Sequence, residues 1–128
     1  MLVDSDAIAT IAVKDLKVAR HFYGEKLGLK ERPDSDNPGV VTYQSGGSKV
    51  LLYQSQYAGT NRATIATWAA QDLEAVVRTL AGKGVTFEHY DLPELTREGD
   101  IHSARDFKVV WFKDPDGNIL SVNSTPVR

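Results

Sequence analysis

Residues 8–16 read IATIAVKDL, and residues 65–73 read IATWAAQDL. Six of the nine positions are identical: Ile8/Ile65, Ala9/Ala66, Thr10/Thr67, Ala12/Ala69, Asp15/Asp72 and Leu16/Leu73. Self-similarity within one chain reveals a repeated building unit without reference to any other sequence. The following stretches, KVARHFYGEKLGLKE and EAVVRTLAGKGVTFE, also run in parallel. Each is a helical segment, then glycine, then a short extended piece ending in Glu.

The local chemistry of each half agrees with that order. Residues 8–13 are apolar or small on both alternating faces, the pattern of a strand covered on both sides. Asp15 stands where an N-cap acceptor belongs, ahead of a helix carrying Leu16, Ala19, Phe22, Tyr23 and Leu27 at helical spacing. Gly28 is placed to stop it. The runs GVVTYQS and SKVLLYQ are two strands joined at Gly46-Gly47, a hairpin signal. In the second half, Asp72 caps a helix with Leu73, Val76, Val77 and Leu80 on one stripe. A short strand follows near Val85 to Glu88, and a hairpin runs from KVVWFK through Asp114-Pro115-Asp116-Gly117 into NILSV. Each half therefore reads β-α-β-β-β: module one about 7–55 and module two about 63–124 of a single 128-residue domain. One half of about 60 residues buries too little surface to stand alone, so the halves are expected to pair their sheets.

Composition narrows the function. The chain is 41% hydrophobic and 25% charged, with net charge −2 and no cysteine. No basic block offers phosphates a surface, so nucleic acid is not an expected partner. The lack of thiols excludes disulfides, thiolate metal sites and cysteine nucleophiles. The opening MLVDSDAIAT has neither a basic region nor a long apolar run, so no signal peptide is visible. No window approaches the roughly 20 apolar residues of a membrane helix. A soluble cytoplasmic protein is expected.

The acids of Asp114-Pro115-Asp116-Gly117 pose a metal question. A calcium loop of the EF-hand type needs acids at positions 1, 3 and 5, Gly at 6 and Glu at 12, and this segment does not match. A turn fits. Pro115 suits the second turn position, Asp114 can accept a backbone bond from further along, and Gly117 can take positive φ.

IAVKDLKVARHFYGEKLGL together with WFKDPDGNILSV resembles the vicinal oxygen chelate superfamily, which groups glyoxalase I, bleomycin-resistance proteins and extradiol dioxygenases. The resemblance runs from about Ile8 to Asn123. It implies an α+β fold in which two paired βαβββ modules form a curved, cup-like mixed sheet, and it implies a homodimer. Enzymes of the family hold a divalent metal in the cup. The matching ligand positions here are Ile8 and Ile65, seven residues before each capping Asp; Ser121, after the DPDG turn; and Leu52 or Tyr53, whose register the sequence leaves open. A hard divalent cation wants imidazole or carboxylate, which two Ile and a Ser do not supply. The resemblance therefore implies a glyoxalase/bleomycin-resistance-like protein with no metal and no cofactor, whose partner is a small apolar or aromatic molecule.

Strand alternation supplies the candidate ligand-binding residues. If Ile8 faces the cup, so do Thr10 and Ala12. Ile65, Thr67, Ala69, Ile119, Ser121 and Asn123 follow by the repeat, with Trp68 on the helix side. Tyr43, Tyr53, Tyr57 and Tyr90 offer aromatic walls. Residues 89–106 read as a long, strand-poor connection, and such loops often carry binding groups. Its Tyr90, Asp91 and His102 are the polar candidates, with Thr60, Asn61 and Arg62 as a second rim. The alternative is an enzyme of the same superfamily. It would use a non-standard metal site built from His89, His102, Asp91, Glu94 or Asp100, or metal-free acid/base chemistry by Asp91, His102 or Glu88. His21 lies off its helix's apolar stripe and reads as a surface residue.

Overall fold

The structure, a computed structural model, describes residues 1–33 and 38–124. It divides into two compact units: Met1–Asn61 with Pro115–Gly117, and Arg62–Asp114 with the chain from Asn118 onward.

The first unit contains β1 (Ala9–Val13), α1 (Leu16–Arg20), β2 (Lys30–Arg32), β3 (Val40–Ser45) and β4 (Ser48–Gln54). The sheet order is β1-β4-β3-β2, with β1 parallel to β4 and the remaining pairs antiparallel. Asp15 caps α1 as its sequence position requires: its Oδ1 accepts from the amides of Lys17 at 2.8 Å and Val18 at 3.4 Å. The helix does not remain α to its end. From His21 to Lys26 it winds as a π turn, a rarer form that carries one more residue per hydrogen-bonded ring. Phe22 and Tyr23 are buried there and meet edge to face at 5.1 Å. Gly28, at φ +76°, ends the segment.

One face of this sheet is apolar and closed. Ile11, Val13, Val41, Tyr43, Val50 and Leu52 are each no more than 3% exposed, and each such side chain contributes about 1.5–3 kcal/mol by leaving water. Ile11 pairs with Leu52, and Ala12 with Tyr53. That fixes the register the sequence left open. Leu52 belongs to the closed face, whereas Tyr53, 38% exposed, shares the other face with Thr10 and Ala12.

The second unit contains β5 (Thr64–Ala70), α2 (Leu73–Gly82), β6 (Phe87–Glu88), β7 (Thr96–Glu98), β8 (Ile101–Ala104), β9 (Phe107–Lys113) and β10 (Ile119–Ser124). Its sheet runs β5-β10-β9-β8-β7, and β6 also pairs with β9. As in the first unit, the first strand lies parallel to the last. Asp72 caps α2 through a 3.0 Å bond from the amide of Ala75. Leu73 and Leu80 of α2 are buried, as are Val110, Phe112, Leu120 and Val122 on one face of the sheet.

Residues 89–106 are not strand-poor. They fold into the β7–β8 hairpin, registered Thr96↔Ser103 through Glu98↔Ile101, and β8 continues the sheet beside β9. All three β7 residues are exposed, so no alternation of apolar and polar residues announced the strand.

The Asp114–Gly117 segment is a turn. Pro115 follows Asp114, and Gly117 has φ +90°. Asp114 is 5% exposed and Asn118 3%. Asp114 Oδ1 accepts from the Asn118 amide at 2.9 Å, and its Oδ2 accepts from Asn118 Nδ2 at 2.8 Å. The backbone returns the bond, Asp114 N–H to Asn118 O at 3.0 Å. Asp116, at the tip, accepts from the Lys14 amide at 3.2 Å. Both carboxylates are thus occupied in holding the chain.

Candidate functional site

The face of the second sheet turned away from α2 gathers the polar and aromatic groups. Its membership follows from register. Ser121 pairs with Thr67 on one side and Trp111 on the other, Glu88 also pairs with Trp111, and His102 pairs with Val109 and Arg97. Lys108, one residue out of phase, reaches Glu74 on α2, which confirms that the opposite parity faces the helix.

Ser121 stands where the sequence left a ligand position without a carboxylate. It is 3% exposed. Its hydroxyl shares a 2.7 Å hydrogen bond with the Thr67 hydroxyl, so two neutral oxygens satisfy each other. The other expected ligand positions are Ile65, half-buried on β5, Ile8, 46% exposed, and Tyr53. Among the described residues no three His, Asp or Glu side chains lie close enough to hold a metal ion. The donor set does not fit a hard divalent cation.

Beside the hydroxyl pair lies an aromatic group. Trp111 meets Tyr90 edge to face at 5.1 Å and His102 at 4.9 Å. Its indole N–H donates to Thr64 Oγ1 at 3.2 Å. Such edge-to-face pairs contribute about 0.5–1.5 kcal/mol beyond the area they bury. His102, expected on an open loop, is fully buried instead. Its Nε2 lies 3.0 Å from the Tyr90 amide and 3.1 Å from the Tyr90 carbonyl. A bare Nε2 accepts from the amide, and a protonated one donates to the carbonyl, so Tyr90's backbone answers either tautomer. Nδ1 is buried with no hydrogen-bond partner, and the same holds for the Tyr90 hydroxyl. Buried polar atoms are nearly always paired, so two orphans in touching residues set this cluster apart from the apolar core. Burial, then the nearby Glu88 carboxylate, raise the Tyr90 pKa above its ordinary value against an opposing pull from Lys113. The phenol therefore stays protonated, a hydrogen-bond donor, at neutral pH.

A cavity of about 430 Å³ opens at this edge, lined by His89, Tyr90, Asp91, Leu95 and Arg97. That lies within the range of small-molecule sites, about 300–1,000 Å³. The β6–β7 connection and β7 carry all five residues. His89 Nε2 is 2.7 Å from Asp100 Oδ1. The Arg97 guanidinium donates to the Gly99 carbonyl at 2.7 Å and forms no ion pair with a described residue. Asp91 is also unpaired among them.

Of the residues singled out in the sequence, Thr67, Ser121, Tyr90, Asp91 and His102 lie in this second unit, and Tyr90 contacts His102 directly. Asn123 shares the Ser121 parity farther along β10. Thr10 and Tyr53 belong to the first unit; Thr10 donates to its own neighbour's carbonyl, Ile8 O, at 3.1 Å. Sequence reasoning missed Trp111, Leu95 and Arg97. Trp111 was within reach: a hairpin turning at residues 114–118 pairs 111 with 121. Arg97 had no signal, because the strand that positions it had none.

The profile of the Glyoxalase/Bleomycin resistance protein/Dioxygenase superfamily matches residues 6–122, and the chain belongs to that superfamily. Among curated proteins none is detectably similar in sequence. Solved structures share the fold at low identity. A protein from Bacillus anthracis assigned to the glyoxalase family superposes with TM-score 0.72 at 17% identity, covering 96% of each chain. TnmS3, an antibiotic binding protein from Streptomyces sp. CB03234, gives 0.70 at 19%, covering 98% of this chain and 99% of its own. A superfamily member from Sphaerobacter thermophilus DSM 20745 gives 0.69 at 23%, covering 98% and 100%.

Proposed function

We propose that this member of the glyoxalase/bleomycin resistance/dioxygenase superfamily is a small-molecule binding protein that works without a metal. Its ligand, an apolar or aromatic molecule, lies against the helix-free face of the second sheet. One observation carries the reading. The family's carboxylate position holds Ser121, bonded to Thr67, next to the Trp111–Tyr90 ring pair. Neutral hydroxyls beside aromatic faces suit the planar aromatic part of a ligand, because a few polar groups orient it while the rings take up its area. The antibiotic binding protein of the same fold is a precedent for binding rather than turnover. The expectations of a homodimer in the cytoplasm, without nucleic acid or membrane as partner, stand beside this reading. No helix among the described residues is long and apolar enough to cross a membrane.

Two measurements test the proposal. Indole titrated into ¹⁵N-labelled protein is expected to shift the amide signals of Thr67, Trp111 and Ser121. Unmoved signals at millimolar indole overturn the site. Elemental analysis of the purified protein is expected to find no bound transition metal, and stoichiometric zinc, nickel, iron or manganese overturns the metal-free reading.

A further inference from the structure

The cavity beside Tyr90 carries charges that the apolar ligand class does not use. Arg97 and Asp91 both line it. They carry opposite charge, yet neither is ion-paired with the other or with any described residue. A guanidinium and a carboxylate that share one concavity without meeting leave two complementary charges unanswered. Each is exposed, so water solvates both in the free protein. A ligand with one anionic and one cationic group answers both at once. Arg97 donates to Gly99 through one nitrogen only, and its remaining N–H groups are free to take a carboxylate as a fork. Asp91 accepts an ammonium. Leu95 and Tyr90 line the same cavity and offer it apolar surface, and the Tyr90 ring meets Trp111 at 5.1 Å. His89 is already held by Asp100 at 2.7 Å, so it contributes no free charge.

We infer that the ligand is a zwitterion, an ammonium and a carboxylate on an aromatic body, of which an aromatic amino acid is the simplest case. The cavity between β6 and β7 holds the two charges, with Arg97 on the carboxylate and Asp91 on the ammonium. This inference rests on the binding site proposed above and specifies what that site selects.

Calorimetric titration of the full chain with four related probes separates the two claims. The probes are indole (neutral), tryptamine (cation only), indole-3-acetate (anion only) and L-tryptophan (both charges). L-Tryptophan is expected to bind at least about tenfold more tightly than any of the other three, the usual worth of a charged hydrogen bond. Arg97→Gln is expected to shrink the preference for L-tryptophan over tryptamine about tenfold, and Asp91→Asn the preference over indole-3-acetate by a similar factor. Both side chains are exposed, and circular dichroism of each variant checks that the fold is kept. If indole binds and L-tryptophan binds no better, the zwitterion inference fails while the binding site stands. The inference also fails if both variants keep the wild-type preferences. If none of the four binds at millimolar concentration, the site and the inference fall together.

Discussion

The two units share a plan and differ in what they do with it. Each begins with a strand bearing the repeated Ala-Thr pair, caps a helix with Asp, and lays the first strand of its sheet parallel to the last. The first unit uses its irregularities for packing. Its π turn buries Phe22 and Tyr23, and its loop at Ala58–Gly59 closes against the Asp116 backbone. The second unit adds a polar β7–β8 hairpin, whose first strand helps to line a cavity, and two orphaned buried polar atoms. Energetically, the first unit spends its special residues on shape, and the second tolerates unsatisfied groups that stability alone would remove. Two units of one plan thus differ in where they leave polar groups unsatisfied, and the proposed recognition surface lies in the second.

The sharpest way to break that comparison is at glycines. Gly59 has φ +75°, and a Cβ there would overlap the carbonyl oxygen of Asp116, a backbone atom with little room to yield. Gly99, in the β7–β8 turn, has φ +62° with nothing within 4 Å of an added Cβ. Gly59→Ala combines left-handed strain with overpacking and is expected to cost about 3 kcal/mol or more. Gly99→Ala carries the strain alone, about 1 kcal/mol. Urea denaturation of the two variants measures the gap, and equal losses would remove the tight packing claimed for the first unit.

The helix caps test the shared part of the plan. Asp15 accepts two amide protons and Asp72 one. Replacing either with Ala is expected to cost about 1 kcal/mol, within the range of about 0.5–2 for caps, with Asp15→Ala the larger loss. Denaturation midpoints that rank them the other way would show that the 3.4 Å bond to Val18 adds nothing.

What the sequence disclosed follows the same division. The caps, the first strands, the Gly46-Gly47 hairpin and the Asp114–Gly117 turn were legible because each is written in residues adjacent along the chain. The Asp114 turn even announced its forward bond, found at the Asn118 amide. The β7–β8 hairpin was not legible, since Thr96, Arg97 and Glu98 are all exposed and strand reading depends on one face being buried. The π turn carries no local mark either, because His21–Lys26 keeps its apolar residues at ordinary helical spacing. Of the candidate site, Ser121 was singled out by its distance from the turn. His102 was named for its chemistry but expected in the open, whereas the β8–β9 pairing takes it fully inside. Burial of that kind is a tertiary property that no neighbouring residue encodes.

The smallest expected effect concerns how the second unit's helix is tied to its sheet. Lys108 Nζ of β9 donates to Glu74 Oε1 in the first turn of α2 at 2.8 Å, with both side chains about half exposed. The hydrogen bond from Lys108, followed by one from Glu74's own backbone amide and by the charge of Lys108, holds the Glu74 pKa below its ordinary 4.5. The same bond and the Glu74 charge lift Lys108 above its ordinary 10.5. A depressed carboxylate contributes stability that is present above its unfolded value and lost as pH falls through its folded one. A raised lysine contributes below its unfolded value and loses that contribution as pH rises through the folded one. The tie therefore works across the neutral window and fails at both ends. Glu74→Gln is expected to lower the thermal midpoint slightly at about pH 7 and not at all at about pH 2.5, where the wild-type carboxylate is itself protonated. Salt at about 0.5 M is expected to shrink the neutral-pH difference, since exposed pairs are screened. A loss that persists unchanged in acid would mean that Glu74 holds α2 by packing rather than by charge.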